Sequence, residues 1–167
     1  MKTVSDTVVD VRAAEAADGD ALAAIDRATW TTLSSPAPFP GKDWTFFDER
    51  TQPEEVVVAL VDGEVAGYAK LRHPTALPSS MHVLMIQGLA VAPAKQRLGV
   101  GRALIDAAIA ECYRRGIRRL TLRVLGPNEA ARRLYESAGF VVEGVMRGEF
   151  LLDGIYVDDV AMALELA

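Results

Sequence analysis

The chain has 167 residues, of which 50% are hydrophobic and 25% are charged, and its net charge is −5. This length suits a single domain over residues 1–167, and the negative charge argues against the basic surface of a nucleic-acid-binding protein. The single cysteine, Cys112, excludes an internal disulfide bond, and no apolar run is long enough to cross a membrane. With no signal peptide visible in residues 1–10, we expect a cytoplasmic protein without nucleic-acid or membrane partners.

The N-terminal third predicts a strand and a helix, followed by an irregular segment. Residues 1–7 are expected to be a frayed terminus, and Val8–Arg12 is typical of a strand. Asp18 is placed to cap a helix. That helix is amphipathic, since three of its residues share one face at helical spacing: Leu22, Ile25 and Thr29. Trp30–Phe47 holds three prolines among five aromatic residues, which excludes a regular helix there.

The middle of the chain predicts three strands. Val56–Val61 is a continuous apolar run that suits a buried strand, and Asp62-Gly63 is a strong hairpin turn into a second strand, Val65–Leu71. His73–Ser80 is predicted to be a loop. His82–Val91 is a long and largely apolar strand that ends before a proline.

The second half alternates helices and strands. Gly99–Arg115 predicts a helix with one apolar face that carries Cys112, and Gly116 is placed to end it. Leu120–Val124 is the next strand. A short helix is expected to begin at Asn128 and to end near Gly139.

Two final strands, Phe140–Leu152 and Ile155–Leu166, flank an Asp-Gly turn and predict a closing hairpin. The order of elements predicts an α/β fold with one mixed, mostly antiparallel sheet of six or seven strands and about four helices. Because strands alternate with helices in the second half, the centre of the sheet is expected to be parallel. An exposed edge strand in the last hairpin makes a homodimer an expectation as well.

The most informative segment is the strand that ends at Val91 and runs through a glycine-containing turn into a helix. The first backbone N–H groups of a helix lack internal partners, and the helix dipole favours negative charge there. Gly99 and Gly101 let the backbone approach an anion closely. Gln96, Arg97 and Arg102 add side-chain donors. This turn therefore predicts a phosphate-binding site.

Two common phosphate motifs fit this turn poorly. A Walker A loop requires Gly-Lys followed by Ser or Thr, whereas Gly101 is followed by Arg102 and Ala103. A dinucleotide-binding fingerprint requires a glycine or alanine three positions after Gly101, where Leu104 stands. That fingerprint also belongs at the first strand of a fold, whereas this turn follows several strands. A nucleotide-binding enzyme that uses ATP or NAD is thus disfavoured.

A second motif narrows the interpretation. Gln96–Gly101 reads Gln-x-x-Gly-x-Gly, and Asn128–Phe140 reads Asn-x-x-Ala-x-x-x-Tyr-x-x-x-Gly-Phe about 27 residues later. Together and in this order, the two motifs resemble the GNAT superfamily of N-acetyltransferases. The resemblance is specific from about Leu89 to Phe140, and elsewhere only the strand order agrees.

The resemblance implies a fold and a set of ligand contacts. It implies a central parallel strand pair that splays to admit the pantetheine arm of acetyl-CoA, with no metal involved. Backbone groups that would contact the pantetheine arm belong to Leu89, Ala90 and Val91. Backbone amides that would hold the pyrophosphate belong to Arg97, Leu98, Gly99, Val100, Gly101 and Arg102. Asn128 would contact the pantetheine region, and Tyr135 would protonate the leaving thiolate.

The sequence departs from the family where a general base is expected. Many members carry a glutamate on the strand before the phosphate turn, and here the corresponding positions are Met85 and Gln87, neither of which is a base. A water oriented by Gln87 would serve instead. Other candidate bases are His73, His82, Glu149, Asp158 and Asp159.

The acceptor side is the least defined by sequence. Trp30, Phe39 and Trp44 lie where family members shape the acceptor pocket, and they either wall that pocket or anchor a long loop. The resemblance implies direct transfer of acetyl to a primary amine of a small molecule or peptide. The missing glutamate keeps open a second hypothesis, a non-catalytic module that binds or senses acyl-CoA.

Overall fold

The computed structural model describes residues 7–167, so the predicted frayed terminus at 1–7 lies almost wholly outside the described part of the chain. Seven strands form one sheet. Their bounds are β1 Val9–Ala13, β2 Val56–Val61, β3 Glu64–Arg72, β4 Val83–Val91, β5 Arg119–Leu125, β6 Val141–Leu152 and β7 Ile155–Glu165. The α-helices are α1 Gly19–Thr29, α2 Val100–Arg115 and α3 Glu129–Ser137. None of these helices is long and apolar enough to span a membrane.

The sheet has the strand order β1-β2-β3-β4-β5-β7-β6. The pair β4–β5 is parallel, and the other neighbouring pairs are antiparallel. This topology confirms the predicted mixed sheet with a central parallel pair. The prediction of about four helices was slightly high, because residues 7–167 contain three α-helices and four single-turn 3₁₀ helices.

Asp18 occupies the N-cap position of α1, as predicted, but its side chain does not cap that helix. Its carboxylate instead accepts hydrogen bonds from the Glu15 amide and from both Arg12 guanidinium nitrogens, at 2.7 to 2.9 Å. The hydrogen bonds from Arg12 hold the pKa of Asp18 below its ordinary value. Asp18 therefore ties the end of β1 to the start of α1.

The helices cover both faces of the sheet. Tyr68 packs in a core cluster with Leu22 and Ile25 of α1, whereas the adjacent Ala69 packs in a cluster with Val100 and Leu104 of α2. Because successive side chains of a strand point to opposite faces, α1 and α2 lie on opposite sides of β3. Cys112 is fully buried on the sheet-facing side of α2, and burial raises its pKa to about 11, which makes it a poor nucleophile.

The parallel pair opens part-way along β4. Backbone pairing with β5 runs from Val83 to Ile86 and then stops, while β4 continues to Val91 beside β3. The register with β3 shifts at this point, since Lys70 pairs with Gly88 and Leu71 with Ile86, which leaves Gln87 as an extra residue. Such a β-bulge bends a strand and increases its twist. The bulge at Gln87 thus marks where β4 separates from β5.

The far edge of the sheet is β6, which pairs only with β7 in the described structure. Several apolar side chains of this hairpin are exposed: Val141, Val142, Val145, Leu151, Ile155 and Tyr156. A homodimer through this edge stays a prediction.

Candidate active site

The turn between β4 and α2 presents a row of unpartnered backbone amides. Arg97 and Gly99 adopt left-handed conformations with φ of +64° and +83°. The N–H groups of residues 97–102 have no protein acceptor in the described structure, and the first helical bond runs from the Ala103 amide to the Gly99 carbonyl. Consecutive amides in such a conformation form a concave anion site. A left-handed backbone conformation costs free energy in a residue with a side chain such as Arg97. Its presence here indicates that the surrounding structure holds the turn in this shape.

The polar side chains of the turn mainly shape the backbone. The Gln96 amide donates to the Val91 carbonyl at 3.3 Å, and the Arg102 guanidinium binds Asp106 at 3.0 Å and the Ser137 carbonyl at 3.2 Å. Their side chains are thus engaged within the protein, in contrast to the donors predicted from sequence. Arg97 has no hydrogen bond or ion pair to the rest of residues 7–167 and is the side chain left to meet an anion.

Gly101 lies at a tight contact between α2 and α3. A Cβ at this position would lie 3.0 Å from Leu134 Cδ2 on α3. The absence of a side chain therefore lets the N-terminal turn of α2 approach α3 closely. The two sequence motifs meet at this contact.

Beyond the bulge, β4 offers backbone groups to the opening beside β5. The Ala92 amide donates to the Ala66 carbonyl of the β3 side at 2.7 Å. Because N–H and C=O groups alternate in direction along a strand, Ala90 also faces β3, whereas Leu89 and Val91 face away from it. Of the three residues predicted to contact pantetheine, Leu89 and Val91 therefore direct their backbone groups away from β3, although the Val91 carbonyl already accepts from Gln96, and the backbone of Ala90 is directed to β3.

A cavity of about 390 Å³ fills the opening between β4 and β5, and we call it the β4–β5 cleft. Its walls include Leu89, Asn128 and Tyr135. The Asn128 side-chain oxygen caps α3 by accepting from the Ala131 amide at 3.2 Å, which leaves its NH₂ group available as a donor. The structure thus brings together three of the residues that the sequence placed around the acyl thioester.

Tyr135 is 7% exposed and packs edge-on against Phe140, with ring centroids 5.8 Å apart. Burial raises the pKa of Tyr135 to about 12, so the phenol is protonated at neutral pH. Its hydroxyl has no hydrogen-bond partner within residues 7–167. A protonated phenol with a free O–H on the wall of a cleft is suited to donate a hydrogen bond to a ligand.

A second cavity of about 530 Å³ lies on the α1 face, and we call it the α1 cavity. The four residues predicted from sequence to form the acceptor pocket all line it: Trp30, Phe39, Trp44 and Gln87. Phe46, by contrast, is 5% exposed and packs against Tyr68, so it anchors the long loop. The acceptor role of Trp30, Phe39 and Trp44 stays a prediction.

The two cavities meet at the bulge. They share Gln87, Gly88 and Leu89 of β4, together with Ser34 and Ser35 of the loop after α1. A molecule in one cavity would therefore abut a molecule in the other at the point where the sheet opens. Of the two positions predicted to replace the family glutamate, Gln87 lines both cavities and Met85 lines neither.

The other candidate bases do not converge on this point. His73 contacts the Val83 carbonyl at 2.7 Å, and neither it nor His82 lines a cavity described here. Asp158 accepts from the Gly148 amide at 2.8 Å and thereby holds a bulge in β6. Glu149 lines neither cavity. Asp159 lines the cleft but is 6% exposed and paired with Arg123 at 2.7 Å, unlike the solvated charge expected from sequence.

Sequence reasoning missed a half-buried acid on the α1 cavity. Asp26 accepts a hydrogen bond from the Tyr68 hydroxyl, and both residues line this cavity. Burial is the main cause that raises the pKa of each group. The signal was present, since Asp26 follows Leu22 by four positions and precedes Thr29 by three, on the face predicted to be apolar.

The described residues include no group of three or more His, Cys, Asp or Glu side chains that could hold a metal ion. The geometry instead combines a phosphate-binding turn, an opened strand pair and two adjoining cavities.

Residues 20–140 match the model of the acetyltransferase (GNAT) family. The chain belongs to that family. The assignment confirms the resemblance drawn from the two sequence motifs. The matched residues include the turn between β4 and α2, the lining of the α1 cavity and most of the lining of the β4–β5 cleft.

Relatives of known name agree with this assignment. The chain is 39% identical over 79 residues to the [ribosomal protein bS18]-alanine N-acetyltransferase of Escherichia coli K12, which covers 47% of this chain and 53% of that protein. It thus spans about half the length of the first curated relatives it matches. The enzyme of the same name from Salmonella typhimurium LT2 is 29% identical over 84% of this chain and 90% of that protein.

The fold also occurs in solved structures. The yncA acetyltransferase of Salmonella typhimurium, solved with its cofactor acetyl-CoA, superposes with a TM-score of 0.77. The match covers 96% of this chain and 95% of that one at 24% identity, and it shows that the two folds are alike.

Proposed function

We propose that this protein is an acetyl-CoA-dependent N-acetyltransferase that moves an acetyl group to a primary amine of a small molecule or peptide by direct attack. The observation that carries the proposal is the opening of β4 from β5 at Gln87, because Tyr135 lines the resulting cleft and the free amides of residues 97–102 follow the end of the same strand. Family membership supports the same reaction.

The donor side would hold acetyl-CoA largely through backbone groups. The amides of residues 97–102 would bind the diphosphate, with Arg97 as a further cation. The outward groups of Leu89 and Val91 would bind the pantetheine amides, and one of their N–H groups would bind the thioester oxygen as charge develops on it. Acetyl-CoA supplies an activated acyl group with a thiolate as leaving group.

Tyr135 would act as a hydrogen-bond donor to the departing sulfur. The pKa of Tyr135, about 12, exceeds that of a thiol, about 8.5, and the difference corresponds to roughly 5 kcal/mol against complete transfer. The phenol therefore gives up its proton only as it receives another from the nitrogen of the new amide. This exchange leaves Tyr135 protonated at the end of each turnover.

The acceptor class rests on the α1 cavity and on the relatives. Aromatic walls and a single carboxylate favour a cation that carries apolar groups. By their names, the curated relatives in Escherichia coli and Salmonella typhimurium acetylate an alanine of a ribosomal protein. We therefore place a peptide N-terminal amine first among the acceptors, with amino acids and polyamines as further candidates.

Thermal unfolding with acetyl-CoA, CoA, ATP and NAD in parallel tests the donor half of the proposal. A ligand at about 100 times its Kd adds roughly 2.7 kcal/mol of stability. We expect the Tm to rise with acetyl-CoA and CoA and to stay constant with ATP and NAD. A rise with ATP or NAD alone would contradict the proposal.

Release of free CoA in the presence of amines tests the transfer half. The panel comprises a tripeptide that begins with alanine, free alanine, lysine and spermidine. We expect amine-dependent CoA release with at least one of them. The alternative, a non-catalytic acyl-CoA-binding module, is favoured by Gln87 at the position of the family glutamate. It predicts the same Tm rise without release of CoA.

A further inference from the structure

Asp26 places a negative charge on the α1 cavity. Among the described residues that line the cavity, Asp26 is the only one with a carboxyl group, and none is a lysine, arginine or histidine. One carboxylate oxygen accepts from the Tyr68 hydroxyl, and the other has no hydrogen-bond partner within residues 7–167. Asp26 also forms no ion pair there. The cavity therefore carries a carboxylate that no other group lining it neutralises.

Burial and the neighbouring groups act on the Asp26 charge in opposite directions. Burial raises the pKa of its carboxyl group, and the Tyr68 hydrogen bond and the charges of Lys70 and Arg27 oppose that rise. Lys70 is itself engaged, since its ammonium donates to the Thr51 hydroxyl at 2.6 Å. The β4 side of the cavity, Gln87–Ala90, carries no titratable group. Burial thus disfavours the carboxylate, and Lys70 and Arg27 act on it without forming an ion pair with it.

Asp26 lies close to the point where the cavities meet. Tyr68 pairs with Ala90 across the sheet, and its hydroxyl is 3.7 Å from the position that a Cβ would occupy on Gly88. Gly88 belongs to the stretch shared by the α1 cavity and the β4–β5 cleft. Asp26 is therefore hydrogen-bonded to Tyr68, whose hydroxyl lies beside Gly88 in the stretch of β4 that lines both cavities.

We propose that Asp26 receives the protonated amine of the acceptor in the α1 cavity and takes its proton before attack. This inference rests on the proposed function. It supplies the general base that Gln87 cannot provide, from α1 instead of from β4. Trp30, Phe39 and Trp44 would surround the rest of the cation.

The proton and electron balance is complete. The ammonium gives one proton to the Asp26 carboxylate, and the freed lone pair forms a C–N bond with the thioester carbonyl carbon. The C–S bond breaks, and its electron pair leaves on sulfur. The second nitrogen proton reaches sulfur through Tyr135, and the Asp26 proton passes to water. An ammonium and a thioester thus give an amide, a thiol and one proton.

The low polarity of the cavity assists the first transfer. Removal from water raises the pKa of a carboxyl group and lowers that of an ammonium, so the two values converge once the acceptor is enclosed. A carboxyl pKa raised before the acceptor arrives is already shifted in the required direction.

The test compares Asp26→Asn with Asp20→Asn, which removes an exposed carboxylate from the first turn of the same helix. We expect kcat/KM for the alanine tripeptide at pH 7 to fall by about 100-fold in D26N, as for loss of a general base, and to stay near wild type in D20N. The D26N deficit should shrink as the pH approaches the pKa of the amine, because free amine needs no base. A deficit that is independent of pH would overturn the proposal.

Tyr68→Phe supplies a second readout. Loss of its hydrogen bond raises the pKa of Asp26 further, so the acid limb of kcat/KM that Asp26 sets should move to higher pH in Y68F. In D26N only the dependence on the pKa of the amine itself should remain. An acid limb unchanged in both variants would contradict the role of Asp26.

Stability and donor binding separate this role from a structural one. Because burial penalises ionised Asp26, its contribution to stability is present below the unfolded pKa and is lost as pH rises through the raised folded pKa. D26N should therefore melt at or above the wild-type Tm at pH 7 and show the same Tm rise with acetyl-CoA. If wild type releases no CoA with any amine, the proposed function fails and this inference fails with it. If wild type is active and D26N matches D20N, only the inference fails.

Discussion

The two sides of β4 present different parts of the chain to the ligands proposed for them. The donor side uses backbone groups of one continuous segment, the N–H groups of residues 97–102 and the outward groups of Leu89 and Val91. The acceptor side uses side chains from α1, the long loop and β3. A backbone site depends on conformation and tolerates changes of side chain, whereas a side-chain site changes with each substitution. Members of a family can therefore share the same acyl donor while each member binds its own acceptor.

The largest effect is expected for Tyr135→Phe, which removes the hydroxyl at the boundary of the two sides. We expect kcat to fall by about 100-fold, because proton donation to the leaving group is lost. The KM for acetyl-CoA should change little, since the ring keeps its packing. Stopped-flow or steady-state measurement of CoA release gives both constants.

The pH profile of the wild type tests the same residue. Because the pKa of Tyr135 is about 12, it stays protonated throughout the working range. Its ionisation should therefore cause no loss of kcat up to pH 10. An alkaline limb below pH 10 that vanishes in Y135F would show that the hydroxyl ionises earlier than its burial implies.

The next largest effect tests the backbone character of the donor side. Gly99 and Gly116 cap the two ends of α2 with φ of +83° and +69°, and neither has a heavy atom within 4 Å of a Cβ position. Alanine at either site should cost about 1–2 kcal/mol of stability through left-handed strain. Only Gly99→Ala should also weaken acetyl-CoA binding, by about 10-fold, as measured by calorimetry. Equal Kd values for the two variants would refute the predicted role of the turn.

A smaller effect is expected on the acceptor side from Trp44→Ala. Trp44 is 39% exposed, so its loss should change stability by about 0.5 kcal/mol or less. The acceptor KM should rise by roughly 5-fold through lost apolar contact, with the KM for acetyl-CoA unchanged. Tyr113→Ala, an exposed aromatic on α2, is the matched control and should leave both constants alone. An acceptor KM that does not move would remove Trp44 from the pocket.

The smallest effect is expected for Arg97→Gln, since an exposed ion pair is worth about 0.2–1 kcal/mol. We expect the Kd of acetyl-CoA to rise about 3-fold and its salt dependence to become shallower. Arg118→Gln removes an exposed charge beyond the other end of α2 and should do neither. If Arg97→Gln weakened acetyl-CoA binding more than Gly99→Ala does, the donor side would depend mainly on side chains and not on backbone groups.

The donor side could be predicted from sequence because its signals are local. Gly99 and Gly101 mark conformations and approaches that other residues resist, and the two motifs are short and correctly ordered. The hydrophobic pattern predicted the strands of the sheet, and most of their predicted ends lie within one or two residues of the observed ends. The opening at Gln87 was implied only by the resemblance, because a one-residue shift against β3 leaves no local pattern in β4.

The acceptor side could be predicted only in part. The aromatic residues of the loop drew attention by composition, but nothing local shows that Phe46 is buried while Trp44 stays open. Asp26 was overlooked because a single acid in a helix is usually solvated, and its partner Tyr68 lies 42 residues away. Contacts of that separation are set by the assembled sheet. Gln96 and Arg102 were predicted as anion-binding side chains from their type, but in the structure both donate hydrogen bonds to backbone carbonyls.

The wall shared by the two cavities has a consequence for kinetic order. Gln87, Gly88 and Leu89 touch both chambers, as do Ser34 and Ser35, so neither chamber is complete without the wall of the other. Cys112 is buried in α2 and is therefore not placed to form a covalent acyl-enzyme intermediate. On the proposed function, both substrates must bind before either product leaves. Double-reciprocal plots of rate against acetyl-CoA at several fixed amine concentrations should therefore intersect and not run parallel.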